Sequence, residues 1–280
     1  MSASVPFRRR AAFLDFDGTL AQNGVIPRAH TEAVLRAREA GHAVLLSTGR
    51  PASIVAADVA ELFDGMVTSA GAHIRLGQEQ LRDVRFPAAL ARRTVEALES
   101  HGAHYALEAH EALWCSPRSA ERLEERRAEI RAPRDGERGR GFADILSAIE
   151  VTEQLTEVSF AKIAVWSAPV GIERIAAEIG EAVGALPNSI SEDGRGSGEL
   201  HLAEVDKADG LRLVAERLGL GIHDTVAIGD GPNDLGMLRA AGTAVAILGS
   251  RDEVLAAADE VVPGPAGHGV VTAFERLGML

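Results

Sequence analysis

Cysteine is nearly absent from this chain. Cys115 is the single one in 280 residues, which excludes an intramolecular disulfide and makes a reducing, cytoplasmic setting the simplest expectation. A lone cysteine of this kind is expected to serve as a small buried hydrophobe. Long hydrophobic runs are also missing: no window approaches the length of a membrane-spanning helix. Arg8, Arg9 and Arg10 could open a signal peptide, but the apolar stretch after them meets Asp15 too soon for one. Positive charge is in short supply as well. The formal net charge is −12, which opposes non-specific binding to nucleic acid or anionic lipid, so neither is an expected partner. An anionic ligand would need a locally positive site.

What remains is an ordinary globular composition, 46% apolar and 25% charged, without internal repeats. From Ala11 onward, short apolar strands alternate with amphipathic helices. AAFLDFD, HAVLLST and MVTSA read as strands, with helices starting near Pro27 and Pro51 and Gly41 placed to end the first. The alternation returns after about residue 205, where Leu211, Val214, Ala215 and Leu218 mark a helix that leads into the strand TVAIGD. A helix from Asn233, the strand TAVAIL and further elements follow. Strands so uniformly apolar predict an α/β fold with a doubly wound parallel sheet covered on both faces. The middle differs. HYALEAHEALW and SFAKIAVW read as longer, more polar strands, and Ile172, Ile175, Ala176, Ile179 and Val183 as the single apolar stripe of a helix. The expected organisation is a discontinuous core of residues 1–82 and 191–280 with an inserted α+β domain, 83–190. APRDGERGRG at 132–141 and NSISEDGRGSG at 188–198 read as loops.

The chemistry gathers at predicted strand ends. In FLDFDGTL, residues 13–20, Asp15 and Asp17 stand two apart and so share one face of a strand. Ser47, Thr48, Gly49 and Arg50 follow the second strand, Asp230 ends a later one, and Lys207 opens the helix before it. Parallel sheets bind ligands at these carboxyl ends. Carboxylates packed so closely repel one another unless a cation neutralises them, which implies a metal. With only oxygen ligands on offer, Mg²⁺ is the expected ion. Thr48, Lys207 and the backbone amides near Gly18 and Gly49 could hold a tetrahedral anion, with phosphate the natural candidate. The 29 basic residues include only two lysines, Lys162 and Lys207, and a compact ammonium at 207 suits a place where a planar guanidinium would not fit.

These residues resemble a known family. DFDGTL at 15–20, STGR at 47–50, Lys207 in EVDKADGL and GDGPNDLGML at 229–238 are similar, in the same order, to the four motifs of the haloacid dehalogenase superfamily. The insertion between the second and third resembles the type IIB cap of its Cof-like sugar phosphatases, and TSAGAHI at 68–74 resembles the point where such chains leave the core. The resemblance implies a Rossmann-like core and an Mg²⁺-dependent phosphomonoester hydrolase acting on a small phosphorylated metabolite, a sugar or polyol phosphate, as monomer or homodimer. It implies Asp15 as nucleophile and Asp17 as general acid and base. Thr48, Gly49, Lys207 and Asn233 would bind the phosphoryl group. The metal would be held by Asp15, the Asp17 backbone carbonyl and Asp230, with Asp234 as a ligand or a supporting partner. Two departures touch local contacts: Asp206 and Ala208 flank the lysine, and LGS stands at 248–250 where the family often has GNA.

Other residues have plainer readings. Arg50 either contacts substrate or anchors its loop by a salt bridge. Glu199 and His201 fall on a strand returning to the core, where a contact with substrate or cap is possible in the family. His101, His104 and His110 lack metal-ligand spacing. Arg131, Arg134, Arg138 and Arg140, mixed with Asp135 and Glu137, read as a solvated loop, and Trp114 and Trp166 as cap packing. The rival functions are a phosphomutase with the same chemistry and a non-catalytic ligand-binding protein on the same fold.

Overall fold

The computed structural model describes residues 8–125, 138–187 and 196–280. In chain order, the first part forms β1 (Ala11–Leu14), α1 (Arg28–Glu39), β2 (Ala43–Ser47), α2 (Ala57–Ala60), β3 (Gly65–Thr68), β4 (His73–Leu76) and β5 (Glu79–Asp83). The middle forms α3 (Ala88–Ser100), β6 (His104–Glu108), β7 (Leu113–Cys115), α4 (Pro117–Glu124), α5 (Phe142–Ser147), β8 (Ile149–Val151), β9 (Lys162–Ser167), α6 (Ile172–Ile179), β10 (Val183–Pro187) and β11 (Gly198–Leu202). The chain closes with α7 (Lys207–Arg217), β12 (Thr225–Gly229), α8 (Leu235–Ala240), β13 (Thr243–Ile247), α9 (Asp252–Leu255), β14 (Glu260–Val262) and α10 (Gly269–Arg276).

The first sheet has the order β14-β13-β12-β1-β2-β3-β4-β5. From β14 to β3 the pairing is parallel, and β4 and β5 join as an antiparallel edge. Successive residues of β1 serve opposite cores. Ala12 and Leu14 pack with Val44 and Leu46 under α1 and α10, whereas Ala11 and Phe13 pack with Ala43 and Leu45 against α7 and α8. The apolar runs in the sequence are thus explained by burial on both faces. Helix α1 stops at Glu39, and Gly41 adopts φ +95° just beyond it, a left-handed turn that suits glycine. After Pro51 the chain makes a 3-10 turn and the short α2 instead of one long helix. Among the described residues no helix is long and apolar enough to cross a membrane.

The second sheet has the order β10-β11-β9-β6-β7-β8. Tyr105, Leu107, Ile163, Val165, Leu200 and Leu202 point from it into a core shared with α3 and α6. Three expectations need correction here. HYALEAHEALW is two strands, β6 and β7, that pair antiparallel. Helix α6 ends at Ile179 because Gly180 (φ +121°) breaks it, so Val183 begins β10. Strand β11 pairs with both β9 and β10, so the chain returns to the first sheet after Leu202 and not after residue 190. Of the arginine-rich loop, Arg131, Arg134, Asp135 and Glu137 lie outside the described residues. Arg138 exchanges backbone hydrogen bonds with Ile26, and Arg140 pairs with Asp144, which ties the end of that loop to the first sheet's side. Cys115 is buried in β7, its thiol pushed up to about 11 by burial, as an inert small hydrophobe would be. Trp114 packs on the α3/α6 core and Trp166 on a small cluster with Ile54 and Cys115.

Candidate active site

Strand β1 lies between β12 and β2, all parallel, so the residues that leave their carboxyl ends are neighbours. The Asp15 amide continues the ladder by donating to the Ile228 carbonyl at 2.9 Å, which brings Asp15 beside the end of β12 and hence beside Asp230. Gly18 turns the chain back with φ +91°, and a Cβ there would stand 2.4 Å from Asp230 Oδ2. Glycine is therefore required both by backbone conformation and by space. Thr19 Oγ1 donates to Asp230 Oδ1 at 2.6 Å, fixing that carboxylate from the opposite loop.

Lys207 opens α7, whose first turn is capped by Asp206 accepting from the Ala208 amide. The unusual aspartate beside the lysine thus has a local structural task. The Lys207 ammonium is fully buried and donates to Asp15 Oδ1 and to Asp234 Oδ1, each at 2.6 Å. Asp234 Oδ2 accepts from the amides of Asp230 at 3.0 Å and Gly231 at 2.9 Å. Both Asp234 oxygens are engaged, which makes this residue the brace between Lys207 and the loop after β12.

Asp15, Asp230 and Asp234 each offer an oxygen, and these atoms lie within 4.8 Å of one another. Burial, then the Asp234 and Asp230 charges, raise the Asp15 carboxyl well above its ordinary range, more than Lys207 lowers it. Burial likewise raises Asp230. One ammonium among three carboxylates leaves negative charge in excess, a strain that a small cation would relieve. The all-oxygen donor set fits a hard divalent ion.

Asp17 goes elsewhere. Its carboxylate, half exposed, accepts two bonds from Arg50, Nε to Oδ2 at 2.6 Å and Nη2 to Oδ1 at 2.8 Å. Arg50 is also stacked over Phe16, 4.5 Å from the ring centre. Of the two readings of Arg50, the anchoring ion pair is present. Asp17, Gly18, Arg50 and Asp230 line a cleft of about 790 Å³ whose lining also includes Gly264 and Pro265. Thr48 is buried at the end of β2, and its hydroxyl accepts from the Arg50 amide at 3.1 Å. A Cβ on Gly49 would stand 3.4 Å from Asn233 Nδ2 and 3.7 Å from both carboxylate oxygens of Glu199. Glu199 belongs to the second sheet, so that sheet reaches the loop after β2.

Sequence reasoning missed the partners of Glu199. Lys162 Nζ lies 2.6 Å from Glu199 Oε1 and 3.1 Å from Glu108 Oε2, and both Lys162 and Glu108 are buried. The available signal was the scarcity of lysine, which marked Lys162 as well as Lys207. The histidines form no joint site: His101 pairs with Glu178, whereas His110 stacks on His73 and meets Arg85.

The model of the haloacid dehalogenase-like hydrolases matches residues 12–274. The phosphoglycolate phosphatase of Archaeoglobus fulgidus is 42% identical over 78 residues, which are 28% of this chain and 35% of that protein. The match therefore spans about a third of that relative. Among solved structures, the HAD subclass IIB sugar phosphatase BT4131 superposes with a TM-score of 0.75 at 21% identity, covering 97% of this chain and all of that one. A haloacid dehalogenase-like hydrolase from Bacteroides thetaiotaomicron gives 0.77 at 22% identity over 96% of this chain and all of that one. At such identities the likeness establishes the fold. The family match runs through both sheets, the loops that follow β1, β2 and β12, and the start of α7, and the chain belongs to the haloacid dehalogenase-like hydrolases.

Proposed function

We propose that this protein is an Mg²⁺-dependent phosphomonoester hydrolase that acts on small phosphorylated metabolites, sugar or polyol phosphates, through an aspartyl-phosphate on Asp15. The observation that carries this reading is Lys207 Nζ at 2.6 Å from both Asp15 and Asp234, beside Asp230 at the joined ends of β1 and β12. Lys207 occupies Oδ1 of Asp15, which leaves Oδ2 as the attacking atom. Asp15, Asp230 and the Asp17 backbone carbonyl would hold Mg²⁺, with Asp234 as brace. When bound, the ion supplies charge neutralisation among the carboxylates and polarises the phosphoryl oxygens.

In the first transfer an Asp15 oxygen bonds to phosphorus, the ester P–O bond breaks, and Asp17, released from Arg50 and protonated from solvent, gives that proton to the departing oxygen. In the second, water attacks phosphorus, Asp17 takes the water proton, the P–O bond to Asp15 breaks, and inorganic phosphate leaves. Splitting the hydrolysis this way lowers each barrier. Lys207, the Thr48 hydroxyl, the Gly49 amide and Asn233 would stabilise the charge on the three equatorial oxygens. Asp17 must exchange Arg50 for the leaving oxygen to do its part, so Arg50 holds it at the cleft until substrate arrives.

The test is phosphate release from a panel of sugar, polyol and nucleotide phosphates with Mg²⁺ or with EDTA. Release that EDTA abolishes and that is lost in Asp15→Asn supports the reading. Turnover at parental rate in folded Asp15→Asn sinks it, and conversion of a sugar phosphate to its isomer without free phosphate marks a mutase instead.

A further inference from the structure

The second sheet has two unlike faces. Tyr105, Leu107, Ile163, Val165, Leu200 and Leu202 are buried against α3 and α6. The alternate residues Glu108, Lys162, Ala164 and Glu199 point the other way, because side chains alternate along a strand. Register places them side by side: Glu108 pairs with Lys162 across β6 and β9, and Ala164 pairs with Glu199 across β9 and β11. On this face Lys162 is 1% exposed and Glu108 is buried, whereas the Glu199 side chain keeps 33% of its surface open.

Glu199 is thus held from behind and free in front. Lys162 Nζ fixes Oε1 at 2.6 Å, and burial, which would discharge the lysine, is outweighed by the two carboxylates that keep it an ammonium. In front, both Glu199 oxygens stand 3.7 Å from the vacant side-chain position of Gly49, whose other neighbour is the Asn233 amide. Neighbouring Ala164 is small and partly exposed, which leaves room beside the carboxylate. An ionised carboxylate only accepts hydrogen bonds. It matches a hydroxyl and has nothing to offer another carboxylate.

We propose that Glu199, positioned by Lys162, selects the leaving group: it accepts a hydrogen bond from a hydroxyl of a neutral polyol and turns away an ester whose leaving group carries its own carboxylate. This rests on the phosphomonoesterase reading of the same site. A site built to receive a hydroxyl discriminates strongly against a ligand that lacks one, because its polar group is then left unmatched. The curated relative named above is a phosphoglycolate phosphatase, and its ester has a carboxylate in the leaving group. Under this proposal Glu199 would disfavour an ester of that kind in this chain.

The experiment compares kcat/KM for glycerol 3-phosphate and for phosphoglycolate in the parent protein, Glu199→Gln, Glu199→Ala and Lys162→Met, each checked for folding by circular dichroism. The parent should prefer the polyol ester by about tenfold or more. Glu199→Gln introduces an N–H donor, so the ratio should fall by about tenfold with a gain on phosphoglycolate, a gain that mere structural damage would not produce. Lys162→Met should move the ratio in the same direction through KM. An unchanged ratio in active, folded Glu199→Gln and Glu199→Ala overturns the proposal. Absence of phosphate release by the parent on every ester refutes the phosphatase reading itself and takes this inference with it.

Discussion

The chain's two lysines are each buried between two carboxylates, Lys207 on α7 beside the first sheet and Lys162 on β9 of the second, and the two clusters differ. Around Lys207, Asp15 and Asp234 are buried and a third acid, Asp230, has no ammonium of its own. The cluster is short of positive charge, which suits it to receive a cation and to react. Around Lys162, Glu108 and Glu199 are the only carboxylates within reach of the ammonium among the described residues. There one ammonium faces two carboxylates instead of three, and the open member, Glu199, stands over Gly49. Under the proposed function, similar parts would serve reaction in one place and selection in the other, because a reacting carboxylate must be left unsatisfied and a recognising one must be held still.

The largest expected effect separates the clusters most sharply. Lys207→Met should lower phosphate release by roughly a thousandfold, since it removes a donor aimed at the transferring group, while Lys162→Met should retain measurable release with an altered substrate ranking. Equal losses in both variants, by initial-rate assay, would erase the distinction. Next, Lys162→Met should lose roughly 3 kcal/mol of stability in urea titration, because it strands the buried Glu108 carboxylate and frees the half-open Glu199. A change near zero would mean that Glu199 swings free of the sheet.

A pH series sharpens the second cluster further. Burial first, and then Glu199, raise Glu108 to about 7 from an ordinary 4.5, with Lys162 only partly opposing. The folded state thus holds that proton more tightly than the unfolded chain, so this residue's contribution to stability declines as pH rises from about 4.5 to about 7. The loss is on the order of 3 kcal/mol and is complete above that range. In Glu108→Gln the decline between pH 5 and pH 8 should be smaller than in the parent by that order, measured from denaturant midpoints. An identical decline in both proteins would assign the pH dependence to other groups. The smallest effect belongs to the first cluster: Gly18→Ala should cost about 1–2 kcal/mol through its positive φ and crowding of Asp230, with weaker metal binding in a titration by calorimetry.

Much of the first cluster was legible because its residues sit at the ends of short apolar runs, and parallel strands gather such ends at one edge. Asp15, Asp230 and Lys207 meet as those runs imply. The Asp17–Arg50 pair was visible as one of two readings, since an arginine fork serves substrate and carboxylate alike. The second cluster was hidden because Glu108, Lys162 and Glu199 come from three strands whose register no local pattern records. For the same reason β11 read as a strand of the core: its alternation is correct, but its neighbours are decided by tertiary pairing. Val183 continued the helical stripe of α6 by spacing alone, and only Gly180 breaks that count.

Strand β1 also dictates when the active centre can come into being. One of its neighbours, β2, follows closely in the chain, but the other, β12, is made only after the entire insertion, with Ala11 opposite Thr225. The entropy of closing so long a loop grows only slowly with length, yet the contact arrives late, and until then β1 keeps one unpaired edge through synthesis of the second sheet. Asp15 and Asp230 lie on that seam. Completion of the sheet and the meeting of Asp15 with Asp230 are therefore a single event, so the acid cluster cannot form until β12 has been made.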